Sequence, residues 1–103
     1  MGSLFDEICA YPTLLLAFDR VEENAGGPGV DGVRIEDLTP SLSQTLLRLA
    51  HSVRDGSYRP LPLLRIHIDK GGGKTRPLSI PTVRDRIVQT AAAIVLTPIL
   101  DQE

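Results

Sequence analysis

Apolar residues recur at the spacing of an amphipathic helix in two stretches of the first half of the chain. The first stretch covers about Leu4 to Glu23, and Pro12 is placed to start its main segment. The second covers Pro40 to Arg54, where Thr39 can cap the N-terminus and Gly56 ends the helix. The apolar residues that share a face are Leu14, Leu15, Phe18 and Val21 in the first helix and Leu42, Leu46, Leu49, Ala50 and Val53 in the second.

Apolar and polar residues then alternate, as they do in a strand with one buried face. One side carries Leu64, Ile66 and Ile68, and the other carries Arg65, His67 and Asp69. A run of three glycines leads from this strand to a short return strand, Arg76–Ile80, which Pro81 ends. The pattern predicts a half-buried antiparallel β-hairpin over about residues 62–80.

A third helical pattern covers about residues 83–97, with Pro98 near its end. Thr82 followed by Asp85 forms a capping-box pattern at its start. The order helix, loop, helix, hairpin, helix predicts an α+β fold, in which helices pack with a small antiparallel β-hairpin.

Composition predicts one small globular domain of 103 residues, with 42% apolar and 23% charged residues. No apolar run is long enough to span a bilayer, and the N-terminus carries acids where a signal peptide would carry bases. Cys9 is the only cysteine, which suits a reducing compartment. We therefore expect a cytoplasmic protein with no membrane partner.

The charges are distributed unevenly along the chain. Residues 1–47 hold two bases and eight acids, whereas residues 48–86 hold nine bases and three acids. A basic middle segment indicates a face that binds a polyanion, or else a solvated face whose charges have mixed partners.

The glycine run in IDKGGGKTRPLSIP ends like a phosphate-binding P-loop but lacks the rest of that motif. The first glycine of a P-loop would have to be at Ile68, and Arg76-Pro77 cannot start the required helix. A hairpin tip is the better interpretation, with Lys70 and Arg76 on either side of the turn. Such a pair can clamp a triphosphate or a strand backbone, or the hairpin can be a plain surface hairpin with charged edges.

Two longer motifs carry a resemblance to a known family. GGPGVDGVRIEDL and DGSYRPLPLLRIHIDKGGGKTRPLSIPTVRDRIVQ closely resemble the N-terminal fingers region of bacterial group II intron reverse transcriptases, and they are also similar to CRISPR-associated relatives. The resemblance implies that residues 1–103 form a fingers subdomain without palm or thumb, and that residues 24–37 form a lid loop over the template. The glycines of this loop would otherwise be a simple connector.

The resemblance also implies roles for individual residues. Lys70 and Arg76 would hold the triphosphate of the incoming dNTP, although Asp69 and Gly71 replace the prolines that the family usually has beside this lysine. For Arg84 and Arg86, a salt bridge with Asp85 or another acid is the alternative to a template contact. The residues implied in binding the RNA template and primer are Asn24, Gly26, Gly27, Gly29, Asp31, Gly32, Arg59, Arg65, Lys74, Arg84 and Arg86.

The sequence has no Tyr-x-Asp-Asp turn, in which reverse transcriptases hold Mg²⁺. We expect this chain to be part of an RNA-directed DNA polymerase that uses Mg²⁺. By itself the chain is expected to be non-catalytic and to have no cofactor of its own. The alternative is a free-standing nucleic-acid-binding or protein-interaction module derived from such an enzyme. Apolar residues of the last helix, if uncovered, predict a homodimer through that helix.

Overall fold

The predicted α+β class is confirmed by the computed structural model, which describes the backbone of residues 4–100 and the side chains of residues 4–98. The elements in chain order are α1 (Leu4–Ile8), α2 (Tyr11–Asn24), α3 (Ile35–Leu38), a 3₁₀ turn (Thr39–Ser41), α4 (Leu42–Asp55), β1 (Leu64–Gly71), β2 (Lys74–Ile80) and α5 (Val83–Leu100). The two strands pair in one antiparallel hairpin.

The core lies between α2, α4 and α5 and is almost entirely aliphatic. Its buried residues are Leu14, Ala17, Phe18, Val21, Leu38, Leu46, Leu49, Ala50, Val83, Ile87 and Ala91. Burying one Leu, Ile or Val side chain contributes about 1.5–3 kcal/mol, so these contacts supply the main favourable energy of folding. The predicted helical faces of α2 and α4 therefore do form the core.

The N-terminal helix is interrupted at Cys9 and Ala10, where the single predicted helix becomes α1 and α2. Ala10 is extended, and Pro12 lies in the first turn of α2, where its missing N–H breaks no helical hydrogen bond. Pro12 therefore starts the main segment, as predicted.

The segment before α4 differs from the prediction in two places, residues 35–38 and Thr39. Residues 35–38 form the short helix α3, where a loop was expected, because the Asp37 carboxylate accepts a hydrogen bond of 2.8 Å from the Arg34 N–H. Thr39 is itself helical and makes no side-chain cap, so the predicted cap is wrong. Gly56 ends α4 in the left-handed conformation at φ 81°, as predicted.

The hairpin protrudes from the helical body. No helix of the described part packs closely along it, and Ile66 and Ile68 remain 37% and 38% exposed. The predicted half-burial of β1 is therefore wrong beyond Leu64, the residue of β1 nearest the body. Alternation shows that one face is apolar, but it does not show that anything covers that face.

The last helix α5 is longer than predicted and packs mainly against α2. Ile87 and Ala91 are fully buried, and Val88 and Ile94 pack against the core. The homodimer stays a prediction, but much of the apolar face on which it rested is covered within the chain. Among the described helices, none has the length and apolar character needed to cross a bilayer.

Candidate nucleic-acid interface

The start of α5 is the place where two loops of the chain meet. Thr82 and Asp85 are both buried, and the Thr82 hydroxyl accepts a hydrogen bond of 3.1 Å from the Asp85 N–H. This is the predicted helix cap. The Asp85 side chain does not complete a capping box, because it turns to the loop between α4 and β1.

Asp85 fastens that loop to the helix. One carboxylate oxygen accepts a hydrogen bond from the Tyr58 hydroxyl, and the other accepts one of 3.0 Å from the Leu61 N–H. Burial, and after it the hydrogen bond to Asp85, raises the pKa of Tyr58 well above the usual value for a phenol. The sequence did not reveal that Asp85 accepts from this loop or that Tyr58 donates to it, although a tyrosine near a core normally needs a partner for its hydroxyl.

Arg86 fastens the lid loop to the same helix. Its Nη1 donates to the Ala25 carbonyl at 3.1 Å, and its Nη2 donates to the Gly27 carbonyl at 2.7 Å. The template contact of Arg86 stays a prediction, and two of the guanidinium donors are already engaged by the lid backbone. The alternative partner Asp85 binds Tyr58 and Leu61 instead.

The lid loop also makes a close backbone contact with the helix start. A Cβ atom on the buried Gly29 would lie 2.7 Å from both the N and Cα atoms of Thr82, so only glycine fits there without movement. Gly26 has φ 108°, and a Cβ on it would lie 2.7 Å from Arg86 Nη1. The lid therefore lies against the helix backbone at Gly29 and against the Arg86 side chain at Gly26.

Arg84 reaches the same loop more loosely, through Asp31. Its Nη2 atom lies 3.9 Å from Asp31 Oδ2, and about half of the Arg84 side chain remains exposed. The other oxygen, Asp31 Oδ1, accepts a hydrogen bond of 3.1 Å from the Val33 N–H. Arg84 can consequently still offer N–H donors to a ligand. We refer to Arg84, Asp85 and Arg86 together as the α5 junction.

The tip of the hairpin presents the two cations predicted to hold a nucleotide. Gly72 and Gly73 form the turn with φ of 62° and 75°, the left-handed pair that a tight hairpin turn needs. Arg76 lies opposite Ile68, and Lys70 falls at an irregularity in the register. Both cations are exposed, so the turn leaves them accessible.

The residue that departs from the family pattern, Asp69, has a local structural role. Its Oδ1 accepts a hydrogen bond of 2.7 Å from the Gly71 N–H. The carboxylate thus stabilises the turn beside Lys70. This contact supplies a physical reason for an acid at this position.

The remaining predicted residues are distributed over several surfaces. Arg65 pairs with Ser79 and therefore projects from the hairpin face opposite to that of Arg76, while Lys74 pairs with Gly71 at the tip. Arg59 donates to two carbonyls of its own loop. Asn24 ends α2, and Gly27 and Gly32 are exposed in the lid. The structure brings together the lid and the α5 junction, but it does not gather all the predicted cations.

Comparison with known proteins gives relatives that cover most of the chain. It is 43% identical to protein YkfC of Escherichia coli K12 over 81 residues, which are 79% of this chain and 21% of YkfC. It is 32% identical to the group II intron-encoded protein LtrA of Lactococcus lactis over 88 residues, 84% of this chain and 14% of LtrA. The putative COX1/OXI3 intron 1 protein of Saccharomyces cerevisiae is 30% identical over 90 residues, 87% of this chain and 11% of that protein.

These relatives support one of the two resemblances that the motifs carry. No protein-family model matches the chain. The chain spans only 11–21% of the length of these three relatives, so the similarity concerns one part of each. They give no support to the CRISPR-associated alternative. The resemblance to group II intron-encoded proteins is confirmed, and the chain is homologous to a part of these proteins.

Proposed function

We propose that this chain forms the fingers of an RNA-directed DNA polymerase, where it binds the RNA template with its primer and the incoming dNTP. The observation that carries the proposal is the fixed lid loop. Arg86 holds the carbonyls of Ala25 and Gly27, and Gly29 lies against Thr82. A loop held in this way presents a pre-organised surface to a strand and loses little entropy on binding it.

The hairpin tip is the proposed site for the triphosphate of the dNTP. The side chains of Lys70 and Arg76 are exposed and make no hydrogen bond or ion pair with any residue that the structure describes. A lysine point charge beside a planar guanidinium suits the clustered charges of a triphosphate. The engagement of Asp69 by the Gly71 N–H reduces its competition for Lys70.

Catalysis is assigned to another part of the proposed polymerase. Over the described residues, no group of three His, Cys, Asp or Glu side chains is arranged to hold a metal ion. We propose that the Mg²⁺ ions and their carboxylates lie in another part of the polymerase, and that this chain by itself binds but does not polymerise. The proposed location is the cytoplasm.

The test is binding of a primed RNA template, measured by fluorescence anisotropy across a salt series. We expect affinity to fall with salt, and Arg65→Ala/Lys74→Ala, which removes two exposed cations implied in template binding, to reduce the slope of log K against log salt by about 2. The matched control Arg20→Ala/Arg54→Ala removes two exposed charges elsewhere. Equal slopes for the two double variants would rule out template binding at Arg65 and Lys74.

A dNTP titration separates the second half of the proposal from the first. We expect the amide resonances of Gly71, Gly72 and Gly73 to shift when a dNTP is added to the ¹⁵N-labelled chain. The shifts should disappear in Lys70→Ala/Arg76→Ala. Unchanged resonances in the parent chain would contradict dNTP binding at the tip while leaving template binding open to the anisotropy test.

A further inference from the structure

A cavity of about 480 Å³ lies between α4, the loop before β1 and the start of α5. It is separate from the hairpin tip. Thr82 in the cavity wall follows Ile80, the last residue of β2, after only Pro81. Arg76 lies four residues before Ile80, which is about 13 Å along an extended strand, so the tip is well away from the cavity. The polar residues that line it include Thr45, Arg48, Ser52, Ser57, Arg59 and Arg84.

The cavity is lined by an excess of positive charge. Three arginines, Arg48, Arg59 and Arg84, border it, and Asp85 is the one acid among the described lining residues. Asp85 pairs with none of them, because its two oxygens accept hydrogen bonds from Tyr58 and Leu61. The arginines therefore share no acid within the cavity.

Donors of all three guanidinium groups remain available to a ligand. The Arg48 side chain makes no hydrogen bond or ion pair with any other described residue. Arg59 uses only Nη1, which donates to the carbonyls of Gly56 and Tyr58 at 2.9 Å. Arg84 has only its loose contact of 3.9 Å with Asp31. Planar guanidinium groups with free N–H pairs match the oxygens of a phosphate.

We propose that this cavity is a second phosphate-binding site, in which Arg48, Arg59 and Arg84 hold phosphodiester groups of an RNA strand. The volume falls within the range of about 300–1,000 Å³ that is typical of small-molecule sites, so it can hold a nucleotide unit as well as a single phosphate. That the phosphate belongs to an RNA strand rests on the proposed function. That the cavity binds phosphate at all rests only on the residues that line it.

The experiment is an NMR titration of the ¹⁵N-labelled chain with a short single-stranded oligouridylate and, separately, with inorganic pyrophosphate. The amides of Thr45, Ser52 and Ser57 report on the cavity. We expect the RNA to shift them, and Arg48→Gln to weaken this binding about fivefold. The matched control is Arg54→Gln, an exposed arginine of the same helix outside the cavity, with less than a twofold effect.

The outcomes separate this inference from the proposed function. If neither RNA nor pyrophosphate shifts the cavity amides, the second site is overturned. The hairpin clamp still stands in that case if a dNTP shifts the amides of Gly71, Gly72 and Gly73. Cavity shifts with pyrophosphate but not with RNA support the phosphate chemistry and overturn the strand as its source. Equal weakening by Arg48→Gln and Arg54→Gln also overturns the site, since general charge would then explain the binding.

Discussion

Gly29 of the lid loop lies against the backbone of Thr82 so closely that a Cβ atom on Gly29 would be 2.7 Å from the Thr82 nitrogen. This contact joins the lid to the first turn of α5 without any side chain from the lid. Because the opposing atoms belong to the backbone of a capped helix, they cannot move aside as the end of a flexible side chain would.

We therefore expect Gly29→Ala to destabilise the chain by about 1–3 kcal/mol, the usual cost of overpacking. Gly27→Ala is the matched control in the same loop, because a Cβ there meets nothing within 4 Å. We expect it to change the free energy of unfolding by less than about 0.5 kcal/mol. Urea unfolding followed by circular dichroism measures both, and equal effects would contradict the close contact.

Replacement of Arg86 tests whether the lid is fastened from the helix. Arg86→Gln removes the donors to the Ala25 and Gly27 carbonyls, so amides of residues 25–32 should exchange at least several-fold faster with deuterium. Arg86→Lys should not restore protection, because an ammonium group cannot reproduce the guanidinium fork. Arg84→Gln serves as the control, since its ion pair is long and half exposed. Unaltered exchange in Arg86→Gln would show that the lid is held by other contacts.

Loss of the Tyr58 hydroxyl should expose the cost of leaving a buried carboxylate short of a partner. Tyr58→Phe leaves one oxygen of Asp85, a residue only 4% exposed, without its donor. We expect a loss of about 1–3 kcal/mol in the free energy of unfolding. Tyr11→Phe removes a hydrogen bond to Ser43 at an exposed position and should cost much less. A similar cost for the two variants would argue against a special role for Asp85.

The hydrogen bond between Tyr58 and Asp85 also predicts a loss of stability at alkaline pH. The pKa of Tyr58 is raised in the fold above the value of about 10 that a phenol has in an unfolded chain. The folded state therefore favours the protonated phenol, and this contribution is fully present below about pH 10 and is lost as the pH rises towards the folded pKa. Stability measured between pH 8 and about 11 should fall less steeply in Tyr58→Phe than in the parent chain. Parallel curves would contradict the raised pKa.

Cys9 should be unreactive in the folded chain. Its side chain is 1% exposed, and burial raises the pKa of the thiol, so little thiolate is available at neutral pH. We expect a thiol reagent to label Cys9 slowly in buffer and rapidly in denaturing urea. Fast labelling in buffer would show that α1 and α2 open readily around it.

The hydrophobic pattern predicted the elements better than their surroundings. Helical spacing located the cores of α2, α4 and α5, because burial of one helix face is a local property of the sequence. The short helix α3 was missed, since four residues are too few to show a period. The exposure of Ile66 and Ile68 was also missed, because alternation does not record whether another element packs on a face.

The sequence located the segments of the candidate site but not the contacts between them. The glycine-rich lid and the cations beside the hairpin turn were located by sequence. Nothing in the sequence indicated that Arg86 would bind backbone carbonyls 59 and 61 positions away, since such contacts depend on how the loop folds back. Arg48 gave no signal for the same reason, because its neighbours in the cavity come from other parts of the chain.

The α5 junction makes the chain sensitive to the insertion of a residue at the start of α5, an effect that substitutions do not reveal. Successive residues of a helix project about 100° apart, and three consecutive side chains here each hold a different partner: Arg84 reaches Asp31, Asp85 reaches Tyr58, and Arg86 reaches the lid carbonyls. Inserting one residue between Thr82 and Arg84 would rotate all three together and release both loops at once. Extra residues at the Gly72–Gly73 turn would only lengthen a protruding arm.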